Sequence, residues 1–155
     1  MVKKTYQTEI SKENTARAYI ANAGVSLKYA TEICNRIKKK PVNKAEAFLT
    51  RIAAHEDFLP LRKYTGKVAH RKGESKSGVK SGRYPEKTCE AFIGLLGSVK
   101  ANADFKGLDQ EKLQIVHAFA SMGFKRSTFQ SKGRIGGKRR RKKSTHIEVI
   151  VREAK

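Results

Sequence analysis

The chain has 155 residues, enough for one domain with a modest core, and 38% of them are hydrophobic. Its 35 Lys and Arg stand against 14 Asp and Glu, a formal net charge of +21 and a pI near 10.2, so self-repulsion opposes compaction and a polyanion, either nucleic acid or an anionic membrane surface, is the implied partner. The longest apolar stretch, around "AFIGLLG", falls far short of the roughly 20 residues of a spanning helix, and the opening "MVKKTYQTEISKENTARAY" has no apolar core of a secretory signal, which argues against membrane insertion and for the cytosol.

In chain order, "TARAYIANA", residues 15–23, alternates Ala18 and Ile20 with Arg17 and Tyr19 and predicts a strand. "SLKYATEICNRIKK", residues 26–39, places Leu27, Ala30, Ile33, Cys34 and Ile37 at helical spacing behind Ser26 as N-cap. Lys38, Lys39 and Lys40 then complement the helix dipole, and Pro41 ends the helix. "NKAEAFLTRIAAHED" opens with Asn43 and Glu46 at capping-box spacing, and Ala45, Phe48, Leu49, Ile52 and Ala53 form its apolar stripe.

No periodicity survives in residues 60–84, rich in Gly, Ser and Lys, so a long cationic loop is expected there. A third helix should start at Pro85 in its first turn and run through Cys89, Phe92, Ile93, Leu96 and Ala103 to Gly107 as its stop. Gly94 and Gly97 weaken that helix and predict close packing against it. Cys34 and Cys89 both fall on apolar helix faces and read as buried reduced thiols, too few for a disulfide framework or a four-ligand zinc site.

The last third is β-rich. "KLQIVHAFAS", residues 112–121, and "THIEVIVRE", residues 145–153, read as strands, with Ile147, Val149 and Val151 alternating with His146, Glu148 and Arg152. If both strands continue into the segment between them, a hairpin arm over about residues 112–153, with its tip at about 126–141, projects on the order of 35 Å at roughly 3.3 Å per residue. The expected fold is a single α+β domain: a small antiparallel three-stranded sheet packed on about three helices, with a long protruding β-hairpin.

From Lys125 to Lys143, ten of nineteen residues are Lys or Arg and none is acidic, with Phe124 and Phe129 nearby for stacking. Arginine forks in "KRRRKK" grip phosphates bidentately and stack on bases, whereas lysine acts as a point charge. Gly133, Gly136 and Gly137 allow close approach or positive φ at the tip. The combination suits irregular RNA better than a uniform DNA groove. The bland alternative, a disordered basic tail that happens to be internal, is disfavoured by the strongly apolar strand that follows.

"GRIGGK" fails as a phosphate-binding loop, because three rather than four residues separate Gly133 from Gly137 and Arg139 stands where Ser or Thr should follow the lysine. His55, His70, His117 and His146 are scattered, though His70, beside Arg71 and Lys72, is placed to reach a phosphate. No acid pair, activated nucleophile or metal constellation stands out, so neither an enzyme nor a cofactor is expected. A nuclease would need clustered carboxylates. A DNA-compacting architectural protein is the alternative, but such arms carry an apolar wedge at the tip and only Ile135 qualifies.

"GRYPEK" at 82–87, "NADFKGLDQEKLQIVHA" at 102–118 and "KKSTHIEVIV" at 142–151, in that order, resemble the archaeal and eukaryotic branch of ribosomal large-subunit protein twenty-two, called seventeen in eukaryotes. The resemblance spans about residues 12–153 and implies a structural constituent of the cytoplasmic large ribosomal subunit. Its partners would be large-subunit ribosomal RNA, neighbouring ribosomal proteins and, transiently at the hairpin tip, the nascent peptide. Gly133 and Arg134 match the family's tip Gly-Arg, so Gly133, Arg134, Ile135 and Gly136 would face the peptide exit tunnel. Two departures stand out: "TFQSK" replaces the usual Pro-Arg-Ala element, and "IGGKRRRKK" is more basic than many counterparts. The short segment after the last strand favours an archaeal-type or shortened protein. The expected RNA contacts are Arg62, Lys63, His70, Arg71, Lys72, Lys80 and Arg83 in the loop, and Lys125, Arg126, Lys132, Arg134, Lys138, Arg139, Arg140, Arg141, Lys142 and Lys143 on the arm.

Overall fold

The computed structural model describes residues 6–11, 13–72, 78–131, 133–134 and 136–154. Strand β1 (Thr15–Ala23) leads into helices α1 (Leu27–Ile37) and α2 (Val42–Ala53). The two-residue strands β2 (Leu59–Pro60) and β3 (Gly82–Arg83) precede α3 (Glu86–Asp104), and the long strands β4 (Leu113–Phe129) and β5 (Arg139–Glu153) complete the chain. The main sheet is antiparallel in the order β1-β5-β4, with β2 and β3 forming a second, minor sheet. The expected α+β architecture is present.

Periodicity explains most of the core. Ile147, Val149 and Val151 of β5, Ala16 and Ala18 of β1 and Leu113, Ile115 and Ala118 of β4 are buried on the face that the helices cover. The helices contribute Ile33, Ile37, Leu49, Ile52, Phe92 and Leu96, each fully buried. A β-bulge keeps the β4 pattern in phase: Ile115 pairs with Val151 but His117 pairs with Ile150, so Val116 is an extra residue and the inward positions shift from 113 and 115 to 118 and 120. Cys34 and Cys89 are buried in this core, and burial pushes both thiols up to about 12.

The opposite sheet face is closed by residues 6–10. Glu148, itself buried, receives the Gln7 amide at 3.1 Å and lies 2.8 Å from His117 Nε2. Thr8 Oγ1 lies 3.2 Å from His117 Nδ1, and the Arg17 guanidinium bonds the Ile10 carbonyl while lying over the Tyr6 ring. Burial pushes the Tyr6 and Tyr19 phenols up.

Several boundaries depart from expectation. Helix α1 stops at Ile37, and Lys38–Lys40 leave it to meet β4, the Lys39 amide bonding the Ile115 carbonyl at 2.8 Å and the Ile115 amide the Lys40 carbonyl at 2.9 Å. That docking carries Pro41 into the N-cap position of α2, so Asn43 lies inside the helix and Glu46 pairs with Lys100 of α3 instead of closing a capping box. Ser26 holds the N-cap position of α1 without a side-chain cap bond, and Pro85 precedes α3 rather than opening it. Gly107 is the stop as expected: it takes φ +71°, and the Leu108 amide reaches back to the Ala103 carbonyl at 3.0 Å.

The expectation of close packing at Gly94 and Gly97 fails, because both lie on the exposed side of α3 and a Cβ on either would meet nothing within 4 Å. Gly123 is the opposite case: a Cβ there would lie 2.4 Å from Asn22 Oδ1 and 2.5 Å from Ser144 Oγ. Alanine at Gly94 or Gly97 should therefore stabilise by about 0.5–1 kcal/mol, and alanine at Gly123 should destabilise by about 1–3 kcal/mol. Thermal unfolding of the three single variants checks this opposition in sign.

Candidate nucleic-acid interface

The arm is a continuation of the core sheet. Beyond the Met122 and Thr145 pair the ladder runs on through Lys125 with Lys143, Arg126 with Lys142, Ser127 with Arg141, Thr128 with Arg140 and Phe129 with Arg139. Seven residues, Gly123–Phe129, extend β4 past the core, about 23 Å at roughly 3.3 Å per residue. The ladder stops at Phe129 and Arg139, so the turn is confined to residues 130–138, narrower than the expected 126–141.

Directly opposed residues of an antiparallel pair point to the same face. One face therefore carries Lys125, Lys143, Arg141 and Arg139, and the other Arg126, Lys142 and Arg140. Both are exposed, and no acid lies on either. Two like-charge pairs, Lys125 with Lys143 and Arg126 with Lys142, stand directly across the ladder, an arrangement that destabilises an isolated hairpin. Partial compensation comes from Gln130, whose Oε1 accepts from Arg140 at 2.6 and 3.1 Å, and from the Arg139 guanidinium 5.9 Å from the Phe129 ring centre.

The turn is built on backbone bonds: Gln130 donates to Lys138 at 3.1 Å, Gly137 to Gln130 at 2.9 Å and Gly136 to Gly133 at 2.9 Å. Gly133 and Gly137 take φ +94° and +77°, as the glycine content predicts. Arg134 and Lys138 are exposed there, whereas Lys132 and Ile135 lie outside the described residues.

At the arm root β4 bulges again, Gly123 and Phe124 together opposing Ser144. Asn22, at φ +52°, fills the corner: its Oδ1 accepts the Phe124 amide at 3.2 Å and the Ser144 hydroxyl at 2.9 Å, while its own amide donates to His146 Nδ1 at 3.1 Å. The arm is thereby aimed by contacts that link β1, β4 and β5.

The segment expected as a structureless loop is partly organised. Leu59 and Pro60 pair with Arg83 and Gly82, His70 bridges to Ser81, and the Arg71 amide bonds the Lys80 carbonyl at 2.8 Å. Its first turn is held from α1: one Glu32 oxygen accepts the amides of Arg62, Lys63 and Tyr64 at 3.2, 2.7 and 3.0 Å. Arg62, Lys63, His70, Lys72 and Lys80 are exposed. Arg71 and Arg83 are only half-exposed, each donating to the Gly82 carbonyl, and Arg71 also lies over Tyr84 at 5.2 Å. The expected contacts thus fall into two groups, one on the arm and one around the loop. Sequence patterns missed the residues that position them: Glu32, which lies off the apolar stripe of α1 and yet is buried, and Asn22, whose strand-end place before Gly24 was the available signal.

Among the described residues no group of three metal-ligating side chains is present, and no helix is long and apolar enough to cross a membrane. Together these features define a small basic α+β domain bearing a hairpin that is cationic on both faces. The family model described as ribosomal protein L22p/L17e matches residues 18–152. The large ribosomal subunit protein uL22 of Ignicoccus hospitalis is 42% identical over 154 residues, 96% of each chain, and that of Methanoculleus marisnigri 39% identical over 155 residues, 99% of each. The uL22 of Hyperthermus butylicus is 38% identical over 151 residues, 96% of each. The chain belongs to the ribosomal protein L22p/L17e family, and by that membership it is a ribosomal structural protein, not an enzyme.

The Glu32 carboxylate makes a specific prediction. Glu32→Ala should leave three amides without their shared acceptor and loosen the loop by about 1–3 kcal/mol. Hydrogen exchange at Arg62, Lys63 and Tyr64 should accelerate while the β5 core amides stay protected.

Proposed function

We propose that the chain is a single RNA-binding domain that organises large-subunit ribosomal RNA within the cytoplasmic ribosome, neutralising phosphates with its arm and its basic loop. The observation that carries this reading is the placement of cations on both faces of the arm. A protein lying on one surface needs charge on one face only; a hairpin cationic on both faces suits a passage between polyanionic strands on either side. Its mechanism is release of counterions from closely packed RNA helices, with positioning by phosphate contacts and no bond made or broken.

In this reading Lys125, Arg126, Lys132, Arg134 and Lys138–Lys143 contact RNA along the arm, and Arg62, Lys63, His70, Lys72 and Lys80 contact it around the loop. Arg71 and Arg83 keep one donor on Gly82 and offer others outward. The tip residues Gly133, Arg134, Ile135 and Gly136 face the peptide exit tunnel and meet the nascent peptide transiently, and neighbouring ribosomal proteins complete the setting. The match of Gly133 and Arg134 to the family's tip supports the tunnel assignment.

Replacing Arg139, Arg140 and Arg141 together by Ala should reduce the slope of log affinity against log salt for RNA by up to about 3 for duplex contacts, and by less for single strands. Filter binding over a salt series gives the slope. An unchanged slope excludes the arm as the main contact.

A further inference from the structure

Where the arm leaves the domain, its helix-facing side looks across a cleft of about 510 Å³ at the first turn of α1 and at the loop that Glu32 holds. Met122 and Tyr64 line it, with Lys28 from α1 and Arg141 and Lys143 from β5 around them. Tyr64 also borders an adjoining cleft of about 420 Å³ that Lys63 lines. Three properties coincide there.

First, the volume lies within the roughly 300–1,000 Å³ of small-ligand sites, too narrow for a duplex but sufficient for one nucleotide. Second, the apolar part is a ring and a thioether: Tyr64 is half-exposed, with Lys28 Nζ 5.6 Å and Lys63 Nζ 5.8 Å from its ring centre, and Met122 is 43% exposed. Third, the charged residues lining both clefts are cations. The α1 N-terminus opens on the same space with no acid in its first turn and no side-chain bond from Ser26, leaving its amides for an anion. A planar π-face with an anion about one sugar away is the chemistry of a nucleotide. An acidic peptide would use the cations but not the ring.

We propose that this cleft holds a single unpaired RNA nucleotide, its base taking the place of the Lys28 ammonium over the Tyr64 ring beside Met122 and its phosphate drawing Lys28 across to join Arg141, Lys143 and the α1 N-terminus. The proposal rests on the RNA-binding reading and adds to it a site that selects unpaired over paired RNA. Tyr64 acts through its ring face alone, since every base presents a stacking surface whatever its sequence. The Glu32 bonds that fix the Tyr64 backbone make the site preorganised, so little ordering is required on binding.

The test uses the full-length protein and two RNA hairpins that differ only by one bulged 5-iodouridine in the stem. The wild type should bind the bulged RNA about 5- to 20-fold more tightly, and irradiation should cross-link the iodouridine to the peptide containing Tyr64. Tyr64→Ala should abolish the preference while leaving affinity for the fully paired hairpin unchanged, and Tyr64→Phe should retain it. Lys28→Glu, on the cleft rim, should weaken the bulged hairpin more than the paired one. Equal wild-type affinity for the two hairpins, or a preference that survives Tyr64→Ala, overturns the cleft and leaves the arm's RNA binding intact. Failure of the wild type to bind either hairpin in a salt-dependent way overturns the RNA-binding reading itself.

Discussion

The structure turns on the repulsion between cations that β4 and β5 hold directly across from one another. Two unit charges about 5–10 Å apart repel by roughly 0.4–0.8 kcal/mol in water and by several-fold more near a protein surface. A ladder hydrogen bond contributes about 0.5–1.5 kcal/mol net, so in the arm the two terms are of similar size. A two-stranded ribbon is marginal in water even without such repulsion. The outer half of the hairpin therefore depends on opposite charge from outside, and the inner half must hold it in place until that charge arrives.

The inner half does so because β5 is central. Its C-terminal part pairs with β1 on one side and β4 on the other, buries Ile147, Val149 and Val151 under the helices, and has its outer face closed by the buried Glu148, His117 and residues 6–10. The transition from rigid sheet to cationic arm occurs at one corner, where Asn22 fixes the bulge at Gly123 and Phe124 against Ser144. That corner sets the arm's direction, and with it the cleft between Met122 and Tyr64. Fold and interface are joined through a few hydrogen bonds rather than through a broad apolar contact.

Much of this was legible in the sequence, because hydrophobic period and charge are local signals. The alternation in β5, the stripes of α1, α2 and α3 and the uninterrupted cations of "KRRRKK" correctly indicated the three-stranded sheet on helices and the protruding arm. What stayed hidden depends on contacts distant in sequence. The capping box at Asn43 and Glu46 yields to the docking of Lys39 and Lys40 on Ile115. The extra residue Val116 leaves no compositional mark, because it fits a β-run as well as its neighbours do. Glu32 had the pattern of an outward helix position, yet it is buried and organises a loop some 30 residues away. Gly94 and Gly97 mislead in the other direction, since glycine in a helix suggests a close neighbour and the described residues supply none.

In the proposed reading the arm's strands are held at their root by the fold and along their length by RNA charge. Amide hydrogen exchange of residues 125–129 and 139–143, measured for the free protein in low salt and again with ribosomal RNA bound, tests it most directly. Those amides should exchange fast in the free protein while 147–151 stay protected, and should slow by at least about tenfold when RNA is bound. Arm amides as protected as the core in the free protein, or unchanged on binding RNA, would contradict the account.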